Sequence, residues 1–131
     1  WEGRFKSCLV EPDRYLLRVY RYIELKPVHA VLAEVPERHR WSSAHGNLGL
    51  MSDPLLSPHP VFLGLGEDVA SRARAYRQWL LKGVSPNELR IIRGYLAQQR
   101  ALGGARFQAV VENALGRPVK LRPRGRPTRK V

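Results

Sequence analysis

Near the start of the chain, three side chains have types and spacing that could serve phosphodiester chemistry. Arg18, Tyr22 and Lys26 recur at every fourth residue, so on a helix they form one row, with Tyr15 on the same face a turn or two earlier. A phenol ordinarily ionises near pH 10. Flanking positive charge favours its anion and holds a phosphate beside it, which makes Tyr22 a candidate nucleophile. The same row also suits a tyrosine half-packed on the edge of a core with its cations in solvent, an ordinary arrangement on amphipathic helices.

A second candidate lies at the other end. Residues 117–131 hold Arg117, Lys120, Arg122, Arg124, Arg126, Arg129 and Lys130 without a single acid, the signature of a solvated, disordered arm whose partner supplies negative charge. Within it, Pro123-Arg124-Gly125-Arg126-Pro127 matches the core of an AT-hook. Prolines keep the backbone extended, glycine allows close approach, and two arginines can lie along a narrow, electronegative minor groove. A generic basic arm is the plainer alternative, and either one binds nucleic acid.

Other constellations carry less. His29, His39, His45 and His59 are scattered without zinc spacing, and Cys8 is the only cysteine, which leaves neither a metal site nor a disulfide framework. Gly64-Leu65-Gly66 lacks the lysine and the full glycine pattern of a phosphate loop and reads as a loop entering a helix.

The whole chain agrees with these local features. Its 131 residues carry 23 Lys and Arg against 11 Asp and Glu, a formal charge of +12, and the acid-free end supplies seven of those twelve charges. Such basicity implies a polyanionic partner, and the dominance of arginine favours phosphate. With 44% apolar residues the chain can bury a modest core. No apolar run reaches membrane-spanning length and no signal-peptide pattern is present, so a cytoplasmic setting is expected.

The elements that must position these residues are one strand and then helices. Residues 4–10 alternate polar and apolar side chains as a half-buried strand does. A helix from residue 12 to Lys26 has Pro12 at its first position, Glu11 and Asp13 near its positive end, and an apolar stripe of Leu16, Val19, Tyr20 and Ile23. It stops before Pro27. A short turn over residues 28–33 follows, ended by Pro36, and then a loop to Pro60 with at most a short helix near Trp41. Asp68 to Lys82 is a helix with Val69, Ala73, Tyr76 and Leu80 inward and Gly83 as its stop. Ser85-Pro86-Asn87-Glu88 is a capping box opening the next helix, which Leu89, Ile92 and Leu96 carry forward. A last helix, Ala105 to Leu115, turns Phe107, Val110, Val111 and Ala114 inward and meets Gly116 as its cap.

At this level of detail the sequence resembles a known family. Trp1-Glu2-Gly3-Arg4-Phe5-Lys6-Ser7, then Tyr20-Arg21-Tyr22-Ile23-Glu24-Leu25-Lys26-Pro27-Val28, then Trp41-Ser42-Ser43 look like the REP-associated tyrosine transposases of the single-tyrosine HUH superfamily. The likeness extends through Asp53-Pro54-Leu55-Leu56, the later helices and the Arg-Gly-Arg-Pro end. It implies an α+β parent with a ferredoxin-like catalytic domain, of which this mainly α chain is the C-terminal part: one strand, four to five helices and a basic tail. The implied divisions are 1–35 (strand and nucleophile helix), 36–60 (connector), 61–116 (helical extension) and 117–131 (DNA-binding tail).

The implied activity is cleavage and rejoining of single-stranded hairpin DNA through a 5′-phosphotyrosine at Tyr22, in a bacterial, nucleoid-associated setting. Arg18 and Arg21 would contact phosphate, together with Arg122, Arg124, Gly125, Arg126, Arg129 and Lys130 of the tail. A divalent Mg or Mn ion held by a His-hydrophobic-His pair serves the full-length family member. That pair lies upstream of the motif at which this chain opens, so no cofactor is expected for this chain alone. Lys26 occupies the family's usual asparagine position, and an ammonium has no lone pair for a cation. His29 and Val31 stand where arginine and glycine are common.

The expected strand, lacking the rest of its sheet, would pack loosely on the helices or pair with another chain. Two other readings remain: a non-catalytic or degenerate DNA-binding module with an AT-hook-like tail, and a small basic RNA-binding or ribosome-associated protein. The last shares charge and size, but the sequence shows no stacking platform or RNA-module signature.

Overall fold

The computed structural model describes residues 3–126 and is mostly helical. Its strands are β1 (Leu9–Val10) and β2 (Ala101–Leu102), paired in parallel with Leu9 opposite Ala101 and Val10 opposite Leu102. Its α-helices are α1 (Leu17–Glu24), α2 (Lys26–His29), α3 (Ala44–Asn47), α4 (Pro60–Leu63), α5 (Val69–Leu81), α6 (Pro86–Ala97) and α7 (Ala105–Leu115). A wide π-helical turn, Pro12–Leu16, runs straight into α1, and Pro36–Arg38 forms a 3-10 turn.

The strand expected over residues 4–10 is thus cut to two residues, because only those two find a partner. It is neither alone nor loose. Beyond the ladder the Glu11 amide donates to the Leu102 carbonyl at 2.8 Å, and on the other edge of β2 the Ala101 amide donates to Val119 at 3.1 Å. Glu11 does not serve its own helix. Its carboxylate instead accepts from the Gly104 amide at 2.7 Å and so holds the N-cap residue of α7, a glycine with no side chain to offer.

Pro27 does not end the helical path. It is the second residue of α2, a position whose amide would be unpaired in any case. The turn expected over 28–33 therefore arrives earlier. Helix α2 closes with Val31 in the left-handed region, φ 58°, and the Leu32 amide reaches back to the Pro27 carbonyl at 2.8 Å, a Schellman closure. A β-branched residue is strained there; glycine, the residue common in the resembled family, is not.

Asp68 opens α5 with a reciprocal bond to Ser71, and Gly83 follows it at φ 66°. Tyr76 and Leu80 are buried, but Val69, the first residue of the helix, is 61% exposed. In α7, Val111 is buried, whereas Val110 and Ala114 face solvent and Gln108 takes an inward place. Gln108 fits because its amide donates to the Ala101 carbonyl at 3.0 Å and to Tyr95 at 3.1 Å. Gly116 caps α7 at φ 62°.

Two apolar clusters flank α1. On one side Ala44, Leu48, Phe62, Tyr76 and Leu80 pack with Leu17 and Tyr20 against them; on the other, Tyr22 packs with Ile92 and Leu102. A third joins Ala101, Val111 and Val119. Val119 is 2% exposed, so the disordered tail expected from residue 117 onward is in part docked. Gln98 clamps it, donating to the Arg122 carbonyl at 2.8 Å and accepting from the Arg122 amide at 2.9 Å.

Candidate nucleic-acid interface

Helix α1 is turned differently from the stripe in its sequence. Ile23 is 51% exposed, while Arg21, Tyr22, Glu24 and Leu25 are buried. The reason is a polar seam built from partners far along the chain. The Glu24 carboxylate, 1% exposed, accepts from Ser43 Oγ at 2.6 Å, Asn47 Nδ2 at 2.7 Å and the Tyr76 hydroxyl at 2.6 Å. Burial, and then the Glu24 charge, push the Tyr76 phenol far above its ordinary pKa; Tyr20 is raised by the same two causes in the same order. Tyr76 is therefore a neutral donor across the usable pH range.

Arg21 completes the seam. One guanidinium nitrogen donates to both Glu88 oxygens at 2.8 and 2.9 Å, and the group stacks 3.9 Å from the Trp79 ring centroid. Trp79 in turn donates its indole N–H to the Leu17 carbonyl at 2.8 Å. Ser85 does cap α6 by accepting from the Glu88 amide at 3.1 Å. The expected return bond from Glu88 is not made, because its carboxylate is taken by Arg21. The two terminal nitrogens of the Arg21 guanidinium are taken by Glu88 and the Trp79 carbonyl, its Nε is buried without a partner, and its side chain is 6% exposed.

The row Arg18, Tyr22, Lys26 forms as the spacing predicts, with a different environment at each member. Arg18 keeps 46% of its side chain exposed, 3.9 Å from Glu88 and 5.4 Å from the Tyr15 ring. Tyr22 is 6% exposed and packed with Ile92 and Leu102. Lys26 lies outside it with Nζ 5.2 Å from the ring centroid, a cation–π contact in which the ammonium covers the phenol's face. Here Tyr22 is a core tyrosine with charged neighbours.

Lys26 presents an ammonium, which has no lone pair for a cation, and among the described residues no three His, Cys, Asp or Glu side chains gather closely enough to hold an ion. At the opening of α5, after Gly66, the Ser71 amide is already taken, donating to the Asp68 carboxylate at 2.6 Å.

The tail arginines are placed otherwise. Arg117, Lys120, Arg122, Arg124 and Arg126 are exposed, and none pairs with an acid among the described residues. Gly125 has φ 129° with nothing within 4 Å of a Cβ built on it, a conformation that side-chain-bearing residues avoid. The expected contacts Arg129 and Lys130 lie outside the described residues, as does Pro127.

Sequence reasoning overlooked Glu24, Trp79 and Gln98. The one available signal was Glu24 itself, an acid four residues after Tyr20 on the side of an otherwise basic helix that the apolar stripe should occupy. Trp41, named in the sequence only as part of a motif, is 78% exposed with the Arg40 guanidinium 4.6 Å from its ring centroid. Among the described residues no helix is long and apolar enough to cross a membrane. No family model matches the chain, and no curated protein or solved structure matches it significantly.

Proposed function

We propose that this chain binds nucleic acid, and single-stranded hairpin DNA in particular, as a polypeptide of the REP-associated tyrosine transposase type whose DNA grip is separate from its tyrosine. The supporting observation is the acid-free run of exposed cations from Arg117 to Arg126, tethered to the body by Gln98 and Val119. Cations without protein partners release counterions from a phosphate backbone at no cost in broken ion pairs. Arg18 is the further phosphate contact on α1.

The test is binding of a labelled single-stranded hairpin as a function of salt. Replacing Arg122, Arg124 and Arg126 together by Gln lowers the log–log slope by about 2, at roughly 0.7 per single-strand phosphate contact. An unchanged slope would remove the tail from the interface. Truncation at residue 116 is a poorer probe, because it also removes the buried Val119.

The finer reading, strand cleavage by Tyr22 through a 5′-phosphotyrosine in a full-length transposase, draws support from the flanking Arg18 and Lys26. It requires the phenol to leave its packing against Ile92 and Leu102. A covalent adduct with a labelled hairpin, lost in Tyr22→Phe, is its signature; adduct formation that survives the substitution sinks it.

A further inference from the structure

We propose that Trp41 and the groove beside it form a stacking site for an unpaired nucleic-acid base. The inference rests on the nucleic-acid reading above and locates where an unpaired strand is held. Trp41 is the most exposed described tryptophan at 78%, and its neighbours are anchored. Ser42 Oγ accepts from the Ala44 amide at 3.1 Å, and Ser43 donates to the buried Glu24 at 2.6 Å. A large indole face is thus held out into solvent on a fixed base, although a tryptophan free to rotate inward would be the cheaper arrangement.

The surroundings suit a nucleotide. The ring opens onto a groove of about 700 Å³ lined also by Arg38, Arg40, His45, Met51 and Leu55. Arg40 lies against the indole and has no acid partner among the described residues. Arg38 is paired with Glu34 at 2.9 Å, and the groove's carboxylate, Asp53, already accepts from the Leu55 amide at 2.9 Å. An aromatic face with a cation beside it is how sequence-tolerant single-strand sites hold a base and its phosphate together. A paired base has no free face to offer, so the site distinguishes unpaired from duplex DNA. The chain's charge of +12 favours a polyanion over an apolar peptide in the same groove.

The test uses the full chain with a fluorescein-labelled oligothymidine and a duplex of equal length, both read by anisotropy across a salt series, with sedimentation of each protein alone. Trp41→Ala is expected to weaken oligothymidine binding about tenfold, to leave duplex affinity and the salt slope unchanged, and to keep the unfolding midpoint. Trp41→Phe recovers part of the loss. If the wild type binds oligothymidine and Trp41→Ala binds it equally, the stacking site is overturned while the nucleic-acid reading stands. If the wild type binds neither DNA, both fall. A change of oligomeric state in Trp41→Ala without a change in oligothymidine affinity assigns the face to a second copy and overturns the proposal.

Discussion

Arg21 is 5% exposed, with both Glu88 oxygens within 2.9 Å and an indole against its face; Arg122, Arg124 and Arg126 are exposed and meet no acid among the described residues. The same guanidinium therefore holds the body together in one region and is left for a partner in the other. What separates them is the reach of an acid. Glu88 stands on α6 within reach of Arg21 on α1, whereas the last acid before the tail is Glu112, on a helix that the tail leaves. Counting cations alone cannot tell binding charge from structural charge.

The sharpest way to break this comparison is to attack the seam at Glu24. Glu24→Ala leaves Ser43, Asn47 and Tyr76 without their acceptor and is expected to cost about 3–4 kcal/mol, read by urea unfolding. A loss below about 1 kcal/mol would show that the seam is ornamental. Arg21→Met comes next, at about 2–3 kcal/mol, because Glu88 is left partly buried with only the more exposed Arg18, 3.9 Å away, as a cation. Single-strand affinity under folding conditions stays the same, and a fall in its salt slope would return Arg21 to the phosphate contacts.

Tyr76→Phe is smaller, about 1–2 kcal/mol, since Glu24 keeps two donors. It also has a pH signature. The folded phenol holds its proton far more tightly than the unfolded one, so its contribution is complete below the unfolded pKa near 10 and is lost as pH rises beyond it. The alkaline fall in stability should be shallower in Tyr76→Phe than in the wild type. Val31→Gly works in the other direction. Relief of left-handed strain, offset by the greater freedom of glycine in the unfolded chain, is expected to stabilise by about 0.5–1 kcal/mol. On the tail, the Gln substitutions at 122, 124 and 126 should leave stability within about 0.5 kcal/mol; a larger effect would make the tail part of the scaffold.

Helices with local signals were legible in the sequence. Asp68 before α5, Ser85-Pro86 before α6 and Gly116 after α7 are instructions carried within a few residues, and the structure follows each. What stayed hidden depends on residues far apart. β2 is two residues long and exists because β1 lies beside it. The turning of α1 is set by Tyr76 and Glu88, which lie 52 and 67 positions from Glu24 and Arg21. The row at Arg18, Tyr22 and Lys26 was visible, and so was the plainer option of a tyrosine packed at the core edge; that Tyr22 takes it depends on Ile92 and Leu102. Tail docking was hidden for the same reason: the Gln98 clamp binds the main chain of Arg122, which no side-chain pattern encodes.

The pairing of Leu9 with Ala101 also sets an order of events at the ribosome. Synthesis at roughly 5–20 residues per second leaves Leu9 and Val10 without a partner for roughly 5–20 s after they are made. Over most of that time Arg21 and Glu24 are a charged pair on a helix with no Glu88 or Tyr76 to meet. The first strand has to wait for the last third of the chain, and a transcript cut short before β2 would yield a polypeptide that keeps the polar seam but leaves β1 unpaired and Tyr22 without Leu102 to pack on.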